Sequence, residues 1–184
     1  SITVYAAHRA LEHRGNTLNE PLMTMEFSSP MSDVIRAKFY HHKGKVRQGP
    51  STFDLQHVGN ASVIIDNNES FVSLTSGDTT VTVTKRPPVH ITYTHGNRKL
   101  TGSGTRSTAY VQADDGVHYF REQLSLGVGE TVYGLGERFT PFVKNGQVVD
   151  IWNEDGGTSS EQAYKNVPFY VTNRGYGVFV NHPE

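Results

Sequence analysis

Apolar and polar residues alternate in short runs along most of this chain, and almost nowhere do apolar residues recur at the three- and four-residue spacing of a helix. The first run is 2–6, and residues 6–12 offer room for one or two helical turns. A second run covers 22–27. In the third, 34–41, Val34, Arg36, Lys38 and Tyr40 alternate with Ile35, Ala37, Phe39 and His41. Strict alternation gives one buried and one wet face, which points Ile35, Ala37 and Phe39 at the core. Residues 44–52 are polar and turn-forming, an exposed loop. Runs at 62–66 and 71–76 then flank Asn67-Asn68, whose tolerance of left-handed backbone suits a tight turn. Ser76-Gly77-Asp78 turns into the Thr/Val run 79–84, which Pro87-Pro88 ends. Residues 89–94 and 99–101 flank His95-Gly96-Asn97, and 108–112 leads through Asp114-Asp115-Gly116 into 117–126. Strands this short and even, with glycine-rich turns, predict an all-β antiparallel sandwich with few or no helices. No internal repeat or linker divides it, so residues 1–184 read as one domain.

Composition narrows the function classes. The 184 residues are 35% hydrophobic and 19% charged, the balance of a polar β-protein rather than a disordered tail. A net charge of -1 offers no basic surplus for nucleic acid or an anionic membrane. The absence of cysteine excludes disulfides, thiolate nucleophiles and zinc–sulfur sites. No apolar run approaches the roughly 20 residues of a membrane span. The opening stretch lacks a basic-then-apolar signal signature, which favours the cytoplasm. Because Asn181-His182-Pro183-Glu184 follows directly on an apolar strand, the chain is expected to be cut from a longer one. There is no G-x-S-x-G or P-loop, and Gly134-Leu135-Gly136 falls short of a dinucleotide fingerprint, so no cofactor is expected. Of the nine histidines, His41 and His42 point to opposite strand faces, and His90, His95 and His118 sit on or beside separate strands. No metal site is expected.

Residues 133–182 hold the densest set of glycines and rings, together with Trp152, the single tryptophan. Charged and amide groups, namely Glu137, Arg138, Asn153, Glu154 and Asp155, stand among them. A pyranose has apolar C–H faces that lie on rings and hydroxyls that take hydrogen bonds, so a sugar site mixes both. Trp152, Phe139, Phe142, Phe169, Tyr170 and Tyr176 are nevertheless core residues first, and Asp155 alone reads first as an Asx-turn residue shaping its loop.

Tyr133-Gly134-Leu135-Gly136-Glu137-Arg138-Phe139, Trp152-Asn153-Glu154-Asp155-Gly156-Gly157, Asn166-Val167-Pro168-Phe169-Tyr170 and Asn173-Arg174-Gly175-Tyr176-Gly177 occur in that order. The series closely resembles the N-terminal β-sandwich region of glycoside hydrolase family 31, especially its α-xylosidases, most clearly from about residue 122 onward. The resemblance implies a two-sheet sandwich like that of galactose mutarotase, packed on a catalytic (β/α)₈ barrel of the same polypeptide. It makes Asp155 a substrate-binding residue on the leaving-group side, with Trp152 and Phe139 as weaker candidates. Glu137, Arg138, Gly156 and Gly157 would structure the loop, with Glu137 and Arg138 as an ion pair holding the YGLGER turn. Gly157, where α-glucosidases of the family often carry a hydroxyl residue, leaves the detail of that subsite open.

Both catalytic aspartates of the family lie in the barrel, which this chain does not contain, so the chain alone is expected to be inactive. The implied parent is a retaining α-glycosidase acting on α-linked xylose or glucose, and a homo-oligomer is left open. Three rivals stand beside that reading. A free carbohydrate-binding module would bind oligosaccharide unaided, a mutarotase-like epimerase would place a histidine and a carboxylate in one cleft, and a purely structural sandwich would do neither.

Overall fold

Period-2 patterning is obeyed most cleanly where β-branched residues are densest, and those strands form the middle of the larger sheet of the first compact unit. A computed structural model describes residues 1–18, 22–41, 61–154 and 161–182. Within it the chain groups into two compact units, Ser1–Ser125 and Leu126–Glu184. All the strands described pair antiparallel, and the one helical element among the described residues is a 3-10 turn at Arg14–Thr17.

In the first unit, β1 (Ile2–Ala7), β2 (Leu22–Met31) and β3 (Val34–Tyr40) make one sheet in that order. A five-stranded meander makes the other, in the order β4 (Ile64–Asn67), β5 (Phe71–Ser76), β6 (Thr79–Thr84), β7 (Ile91–His95) and β8 (Arg98–Ser103). A two-stranded ribbon, β9 (Ala109–Gln112) with β10 (His118–Arg121), follows. In β6, Thr79, Val81 and Val83 are buried while the threonines between them are half-buried. The apolar faces meet as a sandwich: Ile2, Met25 and Phe27 join Val72, Leu74, Val81, Val83 and Ile91 in one cluster. Each such side chain contributes about 1.5–3 kcal/mol on burial. Ile35, Ala37 and Phe39 flank the cluster as their alternation predicts, and Phe39 meets Phe27 edge-to-face at 6.1 Å.

Turn chemistry pins the sheets together at one end. Asp33, between β2 and β3, adopts φ 63, and its Oδ1 accepts the Asp78 N–H at 2.7 Å and the Thr79 hydroxyl at 3.3 Å. A side chain at Gly77 would collide with that carboxylate, since its Cβ would lie 2.5 Å from Asp33 Oδ1. The Asp78 N–H holds the Asp33 carboxyl below its ordinary pKa, and His95, 3.8 Å away, adds to the effect.

Four local expectations change. The helical turn at 6–12 does not form, because β1 runs to Ala7 in register with Leu22, and a side chain organises the next turn: Asn16 Oδ1 accepts the N–H groups of Glu12 and His13. The turn after β4 uses no left-handed asparagine; Asn68 Oδ1 accepts the N–H groups of Ser70 and Phe71 instead. The strand expected over 117–126 pairs only as His118–Arg121, since Glu122 leaves the ladder to accept the Ser103 and Thr108 hydroxyls. The exposed loop expected at 44–52 lies outside the described residues.

In the second unit, β11 (Val132–Gly134), β12 (Phe169–Thr172) and β13 (Gly177–Phe179) form a three-stranded sheet in that order. Its buried groups are mainly polar. Glu130, Lys144 and Thr172 are buried, and Ala163 is the one buried apolar side chain among its described residues. Burial alone would raise the Glu130 carboxyl pKa, but the nearby Tyr176 and Thr172 hydroxyls, the Gly127 N–H that donates to Oε2 at 2.6 Å and the Arg174 charge hold it below its ordinary value.

Candidate functional site

The glycines of the YGLGER segment set the path of the second unit. Gly134, Leu135 and Gly136 have φ of 109, 69 and 94, three consecutive residues in the region L side chains avoid. The turn is packed against backbone: a Cβ on Gly134 would lie 2.8 Å from Phe169 O, and one on Gly136 only 2.1 Å from Lys165 O. Leu135 N–H donates to Phe169 O at 2.9 Å and Glu137 N–H to Lys165 O at 3.0 Å, so the turn is laced to residues 165–169.

That path delivers Arg138 to the backbone of residues 150 and 161 and to Asn166. Its Nε donates to Leu135 O at 3.2 Å and its Nη1 to Glu161 O at 3.4 Å, while Nη2 reaches Asp150 O and Asn166 Oδ1. The expected Glu137–Arg138 ion pair does not form. Glu137 instead meets Lys165 at 2.8 Å, and this hydrogen bond and charge raise the Lys165 amine pKa. The guanidinium, a planar fork of donors, is matched to carbonyls from several segments.

Asn166 is the second organiser. Its Nδ2 donates to Trp152 O at 2.6 Å, Ala163 O at 2.7 Å and Asn153 Oδ1 at 2.9 Å, and its own N–H donates to Asn153 Oδ1 at 3.1 Å. Asn153 bridges Ala163 in parallel, and Glu154 N–H donates to Ala163 O at 3.0 Å. Gln162 Nε2 donates to Glu154 Oε2 at 2.6 Å. Lys144, close to Arg138, donates to the Thr140 hydroxyl at 2.9 Å and Pro141 O at 2.8 Å; burial first, then the Arg138 charge, lowers its pKa.

A cleft of about 510 Å³ opens beside this network, and its wall includes Arg138, Asp150, Trp152, Glu154 and Glu161. Trp152 is 68% exposed on it, so the expectation that a lone tryptophan is core does not hold within this chain. Phe139 is 49% exposed and lines a smaller depression with Glu137, Tyr164 and Lys165. Phe142 is exposed and tilts onto Tyr133 at 5.1 Å, and Phe169 is exposed as well. Asp155, Gly156 and Gly157 lie outside the described residues.

The structure therefore brings Arg138, Trp152 and Glu154 together and sets Glu137 and Phe139 to one side. Sequence reasoning missed Asn166, Lys165 and Lys144. A polar residue inside the quoted Asn166-Val167-Pro168 motif is the one signal that pointed to the first of these. No histidine appears among the described residues lining the cleft, and no group of three metal-ligating side chains occurs among the described residues. Nor is any helix of the described residues long and apolar enough to cross a membrane.

Comparison with known proteins is consistent with this geometry. Residues 24–184 match the family described as the glycosyl hydrolase 31 N-terminal galactose mutarotase-like domain. The α-xylosidase XylQ of Lactiplantibacillus pentosus is 44% identical over 185 residues, covering 100% of this chain and 24% of that protein. An α-xylosidase of Emericella nidulans is 44% identical over 191 residues, covering 93% of this chain and 24% of its own length. The chain thus spans about a quarter of the curated relatives it matches. Among solved structures, a cycloalternan-forming enzyme of Listeria monocytogenes bound to a pentasaccharide substrate shares the fold, with a TM-score of 0.71 at 18% identity over 98% of this chain and 18% of that one.

Proposed function

Since the chain belongs to the family of glycosyl hydrolase 31 N-terminal galactose mutarotase-like domains, we propose that it is the sandwich region of a retaining α-glycosidase and is not an enzyme by itself. The parent hydrolyses terminal α-linked xylose or glucose, and the two α-xylosidases among the relatives favour xylose. Retention needs two carboxyl groups about 5–5.5 Å apart. The family resemblance assigns both to a (β/α)₈ barrel of about 250 residues, and this all-β chain carries none. The sandwich packs on that barrel and presents the loop after Trp152 to the leaving-group side of the pocket. There Asp155 accepts sugar hydroxyls and Trp152 offers a ring face.

The observation that carries this reading is the open Trp152 ring on a cleft walled by Asp150, Glu154 and Glu161. A ring face and hydrogen-bonding groups stand together there, as a pyranose requires. The test compares this chain with the full-length polypeptide on p-nitrophenyl α-D-xylopyranoside and on a xylosyl disaccharide. The full polypeptide turns over both, this chain turns over neither, and Asp155→Ala in the full polypeptide lowers kcat/KM on the disaccharide by about tenfold or more. Substantial turnover by this chain alone overturns the proposal.

The exposure of Trp152 also favours a second reading, a module that binds sugar unaided. Titrating the isolated chain with oligosaccharide separates the two: saturable binding lost in Trp152→Ala supports the module.

A further inference from the structure

Trp152 and Glu154 stand on the cleft, yet neither the packing nor the strand ladders of the second unit explain why they are held there. Ala163 is the one buried apolar side chain among the unit's described residues, and the bridge between Asn153 and Ala163 is isolated from any strand. The Glu154 N–H bond to Ala163 O and the Gln162 bond to Glu154 tie the two stems, 150–154 and 161–166, at one level, and a pair of polar side chains ties them further. Arg138 donates to Asp150 O on one stem and to Glu161 O and Asn166 Oδ1 on the other. Asn166 then donates from the second stem back to Trp152 O and Asn153 Oδ1 on the first, and to Ala163 O on its own. The link passes through Asn166, whose amide oxygen accepts from Arg138 while its nitrogen donates to the stems.

We propose that Arg138 and Asn166 form a positioning clamp that sets where Trp152 and Glu154 stand on the cleft, and thereby the affinity for the sugar on the leaving-group side. This rests on the sugar-cleft reading above. Arg138 lines the cleft, but at least four of its five N–H groups are spent on protein acceptors, which leaves little of the fork for a ligand. The amide of Asn166 is engaged at both ends. Both residues act on sugar through Trp152 and Glu154, so they are positioning residues. Two substitutions dissect the clamp. Arg138→Lys keeps the charge and loses the planar fork. Asn166→Asp keeps the acceptor for Arg138 and loses the donors to Trp152 O and Ala163 O.

The experiment measures kcat and KM for both variants in the full-length polypeptide, on a xylosyl disaccharide and on p-nitrophenyl α-D-xylopyranoside, whose leaving group carries no sugar hydroxyls. The clamp requires KM on the disaccharide to rise by about tenfold, with the aryl substrate's constants changed less than about twofold. The double variant should be no worse than the worse single one, because the two residues share one network. In the isolated chain, where Trp152 is the sole tryptophan, acrylamide quenching of its emission should change in both variants. Equal losses on the two substrates would make the role one of general folding and overturn the clamp. If Trp152→Ala raises the disaccharide KM and neither clamp variant does, the clamp is wrong and the cleft reading stands. If Trp152→Ala has no effect either, the cleft reading itself fails. Should Arg138→Lys not fold, Asn166→Asp carries the same comparison alone.

Discussion

Replacing Gly136 by alanine isolates the close approach on which the cleft depends. Two costs add. At φ 94 an alanine meets the left-handed penalty of about 1–2 kcal/mol. Its Cβ would lie 2.1 Å from Lys165 O, 2.8 Å from Val167 N and 3.0 Å from Asn166 Cα, all backbone atoms. Ordinary contact begins near 3.5 Å, so residues 165–167 must retreat by roughly 1 Å. That shift strains the Glu137 N–H bond to Lys165 O and moves Asn166, and overpacking of this kind costs about 1–3 kcal/mol. Gly136→Ala is thus expected to destabilise the second unit by about 2–5 kcal/mol. Gly146 supplies the control, since its φ is 74 but a Cβ there would meet nothing within 4 Å. Gly146→Ala should therefore show the conformational cost alone, about 1–2 kcal/mol. Urea unfolding of this chain followed by Trp152 emission reads the difference, because Asn166 in the displaced segment donates to Trp152 O. Midpoints that coincide for the two variants would refute the reasoning, for the backbone would then have room that the geometry denies.

Phe27→Ala removes a fully buried ring from the meeting of the two sheets and should cost the first unit about 3–5 kcal/mol, measured by denaturant unfolding with far-UV circular dichroism. Asp33 has a lowered folded pKa, so it contributes stability above the ordinary carboxylate pKa of about 3.9, and that stability is lost as pH falls through the folded value. Asp33→Asn should accordingly flatten the acid limb of the stability profile below about pH 4 and lower stability near neutrality; an unchanged acid limb would show that the carboxylate does not latch the turns. Hydrogen exchange should find the amides of β11, β12 and β13 less protected than those of β5, β6 and β7, because the second unit buries one apolar side chain among its described residues while the first has an eight-residue apolar cluster. Equal protection would mean that the polar network alone holds the second unit as firmly.

Local signals made the first unit legible. The pattern gave β5 and β6 their observed ends, because Gly77-Asp78 marks the turn and the runs on either side keep period 2. The same pattern carried Ile35, Ala37 and Phe39 to the core side. It overran at residues 122–126, where nothing in the spacing reveals that Glu122 has distant hydroxyl partners on Ser103 and Thr108. The core reading of Trp152 fails within this chain for a related reason. The rule that large rings are buried supposes an apolar interior to receive them, and the second unit offers none among its described residues.

A unit built this way behaves differently from an apolar core. Each hydrogen bond adds only about 1 kcal/mol net, but a buried group left without its partner costs about 1–3 kcal/mol. The penalties, more than the gains, therefore fix the arrangement: Glu130, Lys144, Arg138 and Asn166 each need particular acceptors or donors, and few loop conformations supply all of them. Apolar packing tolerates a volume-conserving exchange, whereas this network does not tolerate an exchange of donor for acceptor. It follows that the sequence shows the site chiefly as fixed residue types at fixed spacings. The two glycines that allow the turn, the arginine that follows it and the asparagine on the far stem are each required by atoms far away in the chain. That is why the ordered motifs between residues 133 and 182 point to a site although no periodicity runs through them.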